Sequence, residues 1–441
     1  MIKIKTFQIV IIVLLLFSFI EYPDVIAQWT PQESGTSLNL WSIHFANDNT
    51  GFCVGDNGTI RKTTNGGNNW ITIPSPVTIN FRYVRMFGLN NIIIGSSSNT
   101  ILKSTNGGSS WSMITIISPY DIFTIIKIQF VSFTHGFFIA SGSGFTIDLY
   151  STTNGGQNWN CNSINCPYNY VGGANDLYFI NENTGWICTQ FFEIYPPYPW
   201  YNDYAEVWKT TDAGADWGVC IYGSALYNNL DQFRVFFSDI HTGYVNKVEY
   251  YQSYLVRTTN GGSSWSPVGG AGSSQNYYSM SFPSSDTGWF TGERTIKSTD
   301  GGSNWSAIAT PGGNSYQSIF FINNLTGWIV GNNGLVAKTT AGGVNIKPNS
   351  NEIPESFKLY QNYPNPFNPL TNIRFDIPKS THIKIIIYNA LGKEVATLVN
   401  EKLGAGDYEV DWNGTPYPSG VYFYKLITDE FTNAKKMVLL K

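Results

Sequence analysis

A turn-forming box recurs along this 441-residue chain, and that recurrence limits the possible fold more than any other feature. Thr63-Thr64-Asn65-Gly66-Gly67-Asn68-Asn69-Trp70 returns around Asn106 and Trp111, Asn154 and Trp159, Asp212 and Trp217, Asn260 and Trp265, and Asp300 and Trp305. A seventh copy, Thr339-Thr340-Ala341-Gly342-Gly343, has lost its Asn/Asp and its Trp. The Trp-to-Trp steps are 41, 48, 58, 48 and 40 residues. A period in the forties with strand-like flanks is the mark of propeller blades. Each box Asn or Asp accepts backbone N–H groups at a turn, its glycines supply positive φ, and its Trp buries a large ring. Because the same turn serves every blade, the boxes read as structural rather than as ligand sites.

A second mark precedes most boxes. Phe45…Thr50-Gly51-Phe52 matches Phe179…Thr184-Gly185-Trp186, Phe237…Thr242-Gly243-Tyr244, Phe282…Thr287-Gly288-Trp289 and Phe321…Thr326-Gly327-Trp328. Blade three has a weaker version at Phe130…His135-Gly136-Phe137, and blade two lacks it. Four strands per blade follow, with the box as the last hairpin turn. One 41-residue step back from Trp70 lies Trp29. The N-terminal segment is therefore expected to supply the outer strand that the seventh blade lacks, closing the ring without exposed edges.

Composition supports the all-β reading. Aromatic residues make up 16% of the chain and charged residues only 13%, with 43 glycines. A net charge of −4 offers no basic excess to hold nucleic acid through counterion release. The fold class is an all-β seven-bladed β-propeller followed by a small Ig-like β-sandwich.

These repeats resemble the Asp-box (BNR) propellers, shared by sialidases, sortilin-type receptors, xyloglucan hydrolases and the photosystem II assembly/stability factor family. The paired TG-aromatic and TT-NGG-W marks are most similar to that last family, over about residues 29–345. The resemblance implies the fold and leaves the activity open, because unrelated functions share the scaffold. The tail resembles the C-terminal sorting domain of the type IX secretion system. YQNYPNPFNP at 360–369, IYNALGKEV at 387–395, SGVYFYKL at 419–426 and KKMVLLK at 435–441 carry the match. That resemblance implies transit through the periplasm, translocation across the outer membrane, and release or surface attachment, with the secretion machinery as partner. A carbohydrate-binding sandwich is the other reading of the tail; Trp412 is more simply a core residue.

At the other end, a basic start and an apolar run from Phe7 to Ile20 read as a signal peptide over 1–27, cleaved after Ala27. A retained anchor is the alternative. The domain plan is then a propeller over 28–344, a linker over 345–355 and a sorting domain over 356–441. Five cysteines, an odd number, leave at least one unpaired; Cys161 and Cys166 flank a turn that a local bridge could close. No metal-ligand spacing and no cofactor motif occurs, and a monomer is expected.

Ligand chemistry belongs on the rim opposite the boxes, where loops are free to vary. The 58-residue period reflects an insert in blade four that carries Tyr195, Tyr198, Trp200, Tyr201 and Tyr204. Blade five adds Tyr250 and Tyr251 in the matching loop, and neighbouring links add Tyr168, Tyr170, Tyr227, Tyr277 and Tyr278. Flat rings with polar edges suit stacking on sugars or gripping a peptide. Packing of the insert onto the rim is the alternative. No catalytic residue is assigned. Arg82, Arg85, Arg234 and Arg294 lack the surroundings of a sialidase triad, and Glu193, Asp203, Glu249 and Glu293 are scattered where a hydrolase needs a facing pair. The residues thus point to a binding module for a polysaccharide or surface protein, with a glycoside hydrolase or a membrane-complex assembly factor as alternatives.

Overall fold

The computed structural model describes residues 29–116, 125–140, 146–165, 170–193, 203–225, 233–249, 252–269, 275–308, 310–311, 316–340, 342, 346–350, 353–414 and 417–441. Among these, strands form seven four-stranded antiparallel sheets followed by two more. In blade one the strands run Leu40–Phe45, Gly51–Gly55, Ile60–Thr63 and Ile71–Thr72 from the channel outward. Blades two to six repeat that order.

Blade seven takes three strands from Tyr316–Phe321, Gly327–Gly331 and Val336–Thr339, and its fourth from Thr30–Gln32 at the opposite end of the chain. Thr30 pairs with Lys338 and Gln32 with Val336. Trp29 is completely buried and stands edge-on to Phe321, with ring centres 5.7 Å apart and planes at 81°. Trp70 meets Phe45 at 5.9 Å and 85°, so Trp29 takes the place of the missing box Trp.

The F…TG-aromatic motif has a packing cause. A Cβ on Gly51 would lie 2.6 Å from the Phe45 ring of the same blade, and one on Gly327 would lie 2.5 Å from Phe321. Only glycine lets that Phe ring fold down over the turn. The opposite face of the ring then receives the TG aromatic of the preceding blade. Trp186 stacks on Phe237 at 3.4 Å, Trp289 on Phe321 at 3.5 Å and Trp328 on Phe45 at 3.5 Å. Blades are thereby joined by aromatic stacks, each desolvating two large faces.

The box carbonyls complete the junction. Trp186 Nε1 donates to the Gly261 carbonyl (3.4 Å), Tyr244 Oη to that of Gly301 (2.9 Å), and Trp289 Nε1 to that of Gly342 (3.2 Å). A lysine on the third strand often reaches the same acceptor: Lys209 Nζ lies 3.0 Å from the Gly261 oxygen and Lys62 Nζ 2.7 Å from that of Gly107. A basic residue before the box Ser/Thr is a repeated feature that the sequence reading passed over.

The C-terminal sheets pack face to face as a β-sandwich. Ile373, Phe375 and Ile377 from one sheet share its core with Ile383, Ile385, Tyr424 and Met437 from the other. Trp412 is buried there against Phe367, 5.3 Å between centroids. Ile346–Ser350, expected within a linker, is instead an edge strand paired with Gly406–Asn413. Its polar, proline-containing sequence disguised it, and an edge strand tolerates both features.

Candidate functional site: the mouth of the channel

Inside each box the same hydrogen bonds recur, with lengths that agree to within about 0.3 Å. Thr63 Oγ1 donates to Asn65 Oδ1 (3.0 Å) and accepts the Gly67 N–H (2.8 Å), while Asn65 Oδ1 accepts the Asn69 N–H (2.9 Å). Thr210, Asp212, Gly214 and Asp216 show the same bonds, and these hold the Asp212 carboxyl below its usual range. The oxygens of the box are thus engaged in holding its turn.

The sequence-expected ligand residues Tyr195, Tyr198, Trp200, Tyr201, Tyr250 and Tyr251 lie outside the described residues, as do Tyr168, Tyr227 and Cys166. Tyr204 falls in the strand Asp203–Thr210, where its backbone pairs with Phe191. The insert is therefore partly a hairpin: Gly185–Glu193 and Asp203–Thr210 continue the second and third strands of blade four past the length of their counterparts. In blade five the ladder runs to Glu249 and Gln252, leaving 250–251 as the connection. Tyr277 is buried against Phe290 and is not a rim residue. Cys161 is exposed with a free thiol, whereas Cys53 and Cys188 are buried. Among the described residues no group of three His, Cys, Asp or Glu side chains could hold a metal.

The structure brings a different set together. The innermost strands do not ladder with one another, so their outer N–H groups need other partners. Side chains of the preceding blade supply them. Ser42 Oγ accepts from Val84 N (3.1 Å), Tyr83 Oη from Phe130 N (2.9 Å) and Gln129 Oε1 from Phe179 N (2.7 Å). Asp176 Oδ2 accepts from Val235 N (3.1 Å), Ser279 Oγ from Ile319 N (3.2 Å) and Ser318 Oγ from Ile43 N (3.4 Å). Six of the seven junctions carry such a bridge among the described residues.

Directly above these bridges, six inner strands share a β-bulge at one position. It inserts Trp41, Arg82, Ile126, Asn175, Tyr278 and Gln317. A bulge re-aims a side chain, and here it does so at the end of the channel away from the boxes. Trp41, Arg82, Ile126, Tyr278 and Gln317 line a channel cavity of about 440 Å³. Arg82 lies over the Trp41 ring at 3.7 Å and 3.3 Å from Asp56 Oδ1. The same carboxylate accepts Trp41 Nε1 (2.8 Å) and Asn39 Nδ2 (3.1 Å).

Of the rim acids, Glu293 accepts both the N–H and the side-chain amide of Asn276, at 3.1 and 2.9 Å. Asp56 and Glu293 therefore brace loops. Sequence reasoning missed Trp41, Asn175 and Gln317 because nothing repeated marks them; the bulge that exposes them is a single extra residue in an ordinary-looking strand.

Comparison with known proteins agrees with this architecture. Residues 23–121 match the family model described as photosynthesis system II assembly factor YCF48, and residues 361–440 match the secretion system C-terminal sorting domain. Among solved structures, YCF48 from Cyanidioschyzon merolae is 18% identical with a TM-score of 0.52, over 70% of this chain and 98% of that one. YCF48 bound to D1 peptide is 17% identical with a TM-score of 0.49, over 71% and 95%. PorZ, a surface component of the type IX secretion system of Porphyromonas gingivalis, is 12% identical with a TM-score of 0.48, over 91% of this chain and 59% of that one. No curated protein sequence matches the chain. The chain is thus similar to YCF48 in its propeller fold and, over residues 361–440, to a secretion-system sorting domain, and such a domain implies export.

Proposed function

We propose that this protein is an exported binding module that acts as a monomer at the cell surface or after secretion. In this reading residues 1–27 direct export and are removed, and residues 356–441 engage the type IX secretion machinery. The ligand, a polysaccharide or a surface protein, meets the propeller at the mouth of the channel, and the aromatic residues of the blade-four insert are the second candidate contact.

One observation carries the reading. In a repeat protein the positions that hold the fold recur from blade to blade, as the boxes and TG turns do. The bulge position is structurally equivalent in six blades, yet it carries Trp, Arg, Ile, Asn, Tyr and Gln. The fold does not require that variety, whereas recognition of an asymmetric ligand does. At the channel mouth, binding is favoured over hydrolysis because the two acids whose contacts are described there, Asp56 and Glu293, are committed to loop contacts.

The test incubates the exported protein with a polysaccharide panel and reads depletion from solution and new reducing ends in the same tubes. Depletion without new ends is expected. New reducing ends would replace this reading with the hydrolase. Neither signal from any polysaccharide would move the ligand to the surface-protein class.

A further inference from the structure

The channel cavity continues inward from the mouth to His44, Arg85, Tyr178 and Phe320. Three cations line it, and two are neutralised: Arg82 by Asp56 at 3.3 Å and Lys127 by Asp176 at 3.2 Å. Arg85 has no carboxylate within 4 Å among the described residues. Its guanidinium lies 5.6 Å from the Phe87 ring.

Tyr83 Oη is a neutral hydrogen-bond partner of this guanidinium, and the other polar groups around it are donors. His44 Nδ1 accepts the Met86 N–H at 3.4 Å, so the neutral ring carries its proton on Nε2. Burial, reinforced by the Arg85 charge, keeps that ring neutral, with a pKa pushed down to about 3. Burial likewise keeps the Tyr178 phenol protonated. Tyr178 Oη has no protein acceptor among the described residues, whereas Tyr83 Oη is occupied in its bridge to Phe130. A guanidinium, a phenol O–H and an imidazole N–H thus face one cavity without a balancing anion. Leaving a charge uncompensated in a half-enclosed site is costly unless a ligand supplies the counter-charge.

Resting on the binding reading above, we infer that this site receives the carboxylate of an acidic, uronate-type sugar that enters past Trp41. A planar carboxylate matches the fork of a guanidinium. The mouth favours a sugar over a peptide: it offers the Tyr278 ring, the Trp41 ring on the face that Arg82 does not cover, and the oxygen of the Gln317 amide, whose Nε2 is held by Asn332 at 3.3 Å, a stacking-plus-amide set suited to hydroxyl-rich rings. An extended peptide is usually held by strand addition, and here the inner-strand N–H groups are already bridged at six junctions.

The test is calorimetric titration of the full chain with trigalacturonate, its methyl ester, neutral trigalactose and a triglutamate peptide. Wild type, Arg85→Gln, Arg85→Lys and Tyr178→Phe are compared, each after a thermal melt to establish folding. The acid is expected to bind at least ten times more tightly than its ester. Arg85→Gln should lose about 10–100-fold, the scale of a lost charged hydrogen bond, with Tyr178→Phe intermediate and Arg85→Lys retaining part of the affinity. Equal binding of acid and ester, unchanged affinity in both Arg85→Gln and Tyr178→Phe, or no trigalacturonate binding by wild type would overturn the inference. Triglutamate binding as tight as the uronate would overturn the sugar assignment. Neutral-sugar binding that is sensitive to Trp41→Ala but not to Arg85→Gln would leave the binding reading standing while removing this one.

Discussion

Trp328 Nε1 donates a hydrogen bond to the Gly66 carbonyl, 3.0 Å away across the junction where the last blade meets the first. The Trp328 ring simultaneously stacks on Phe45 at 3.5 Å. Residues 262 positions apart are thereby joined by the contact that joins neighbouring blades elsewhere, so ring closure uses the general junction rather than a special one. Trp328→Phe keeps the stack and loses the bond. It should cost about 1 kcal/mol in urea unfolding, whereas Trp328→Ala should cost roughly 3–5 kcal/mol. Equal losses would mean that the stack contributes little.

The N-terminal latch makes a separate prediction. Trp29 is completely buried on Phe321 although it lies near the chain start. Trp29→Ala should destabilise the propeller by roughly 3–5 kcal/mol, as for other buried aromatic truncations. A terminal residue that merely drapes over the surface would show less than about 0.5 kcal/mol.

Glycine at the TG turn is required by the ring above it. Gly51→Ala places a methyl 2.6 Å from Phe45 and should cost about 1–3 kcal/mol, with part recovered in the double variant with Phe45→Leu. Gly218→Ala meets nothing within 4 Å and serves as the neutral control. No coupling between positions 51 and 45 in the double-mutant cycle would contradict this account of the motif.

His44 links pH to stability. Its native pKa is depressed to about 3 while the unfolded value stays near 6.5, so the unfolded chain binds the extra proton between those limits. The stabilisation is present above pH 6.5 and is lost as pH falls through the window from 6.5 to 3, at no more than roughly 1.4 kcal/mol per pH unit. Protonation also removes Nδ1 as the acceptor for Met86 N–H. The urea midpoint of His44→Gln, measured from pH 7 to pH 4, should therefore fall less steeply than that of wild type. Parallel pH profiles would rule the residue out.

What could be read from the sequence follows from what a repeat displays. Blade number and ring closure were legible because Trp29 stands one 41-residue step before Trp70 and the box at 339–343 lacks its Trp. The sorting domain was legible through its ordered motifs. Trp41, Asn175 and Gln317 were not, because self-comparison marks positions that recur and a binding site is built from positions that differ. The bulge is equally silent: between Leu40 and Ser42, Trp41 looks like any strand residue until the register is known. The polar strand Ile346–Ser350 was hidden because its partner, Gly406–Asn413, lies some sixty residues downstream.

The most direct test of the account compares ligand retention by wild type, Trp41→Ala and Trp200→Ala on whichever polysaccharide depletes the protein from solution. Retention should fall about 10-fold or more in Trp41→Ala with the fold intact, the loss expected when a stacking aromatic is removed. Full retention in Trp41→Ala would contradict the placement of the site at the channel mouth, and a loss confined to Trp200→Ala would move it to the insert of blade four.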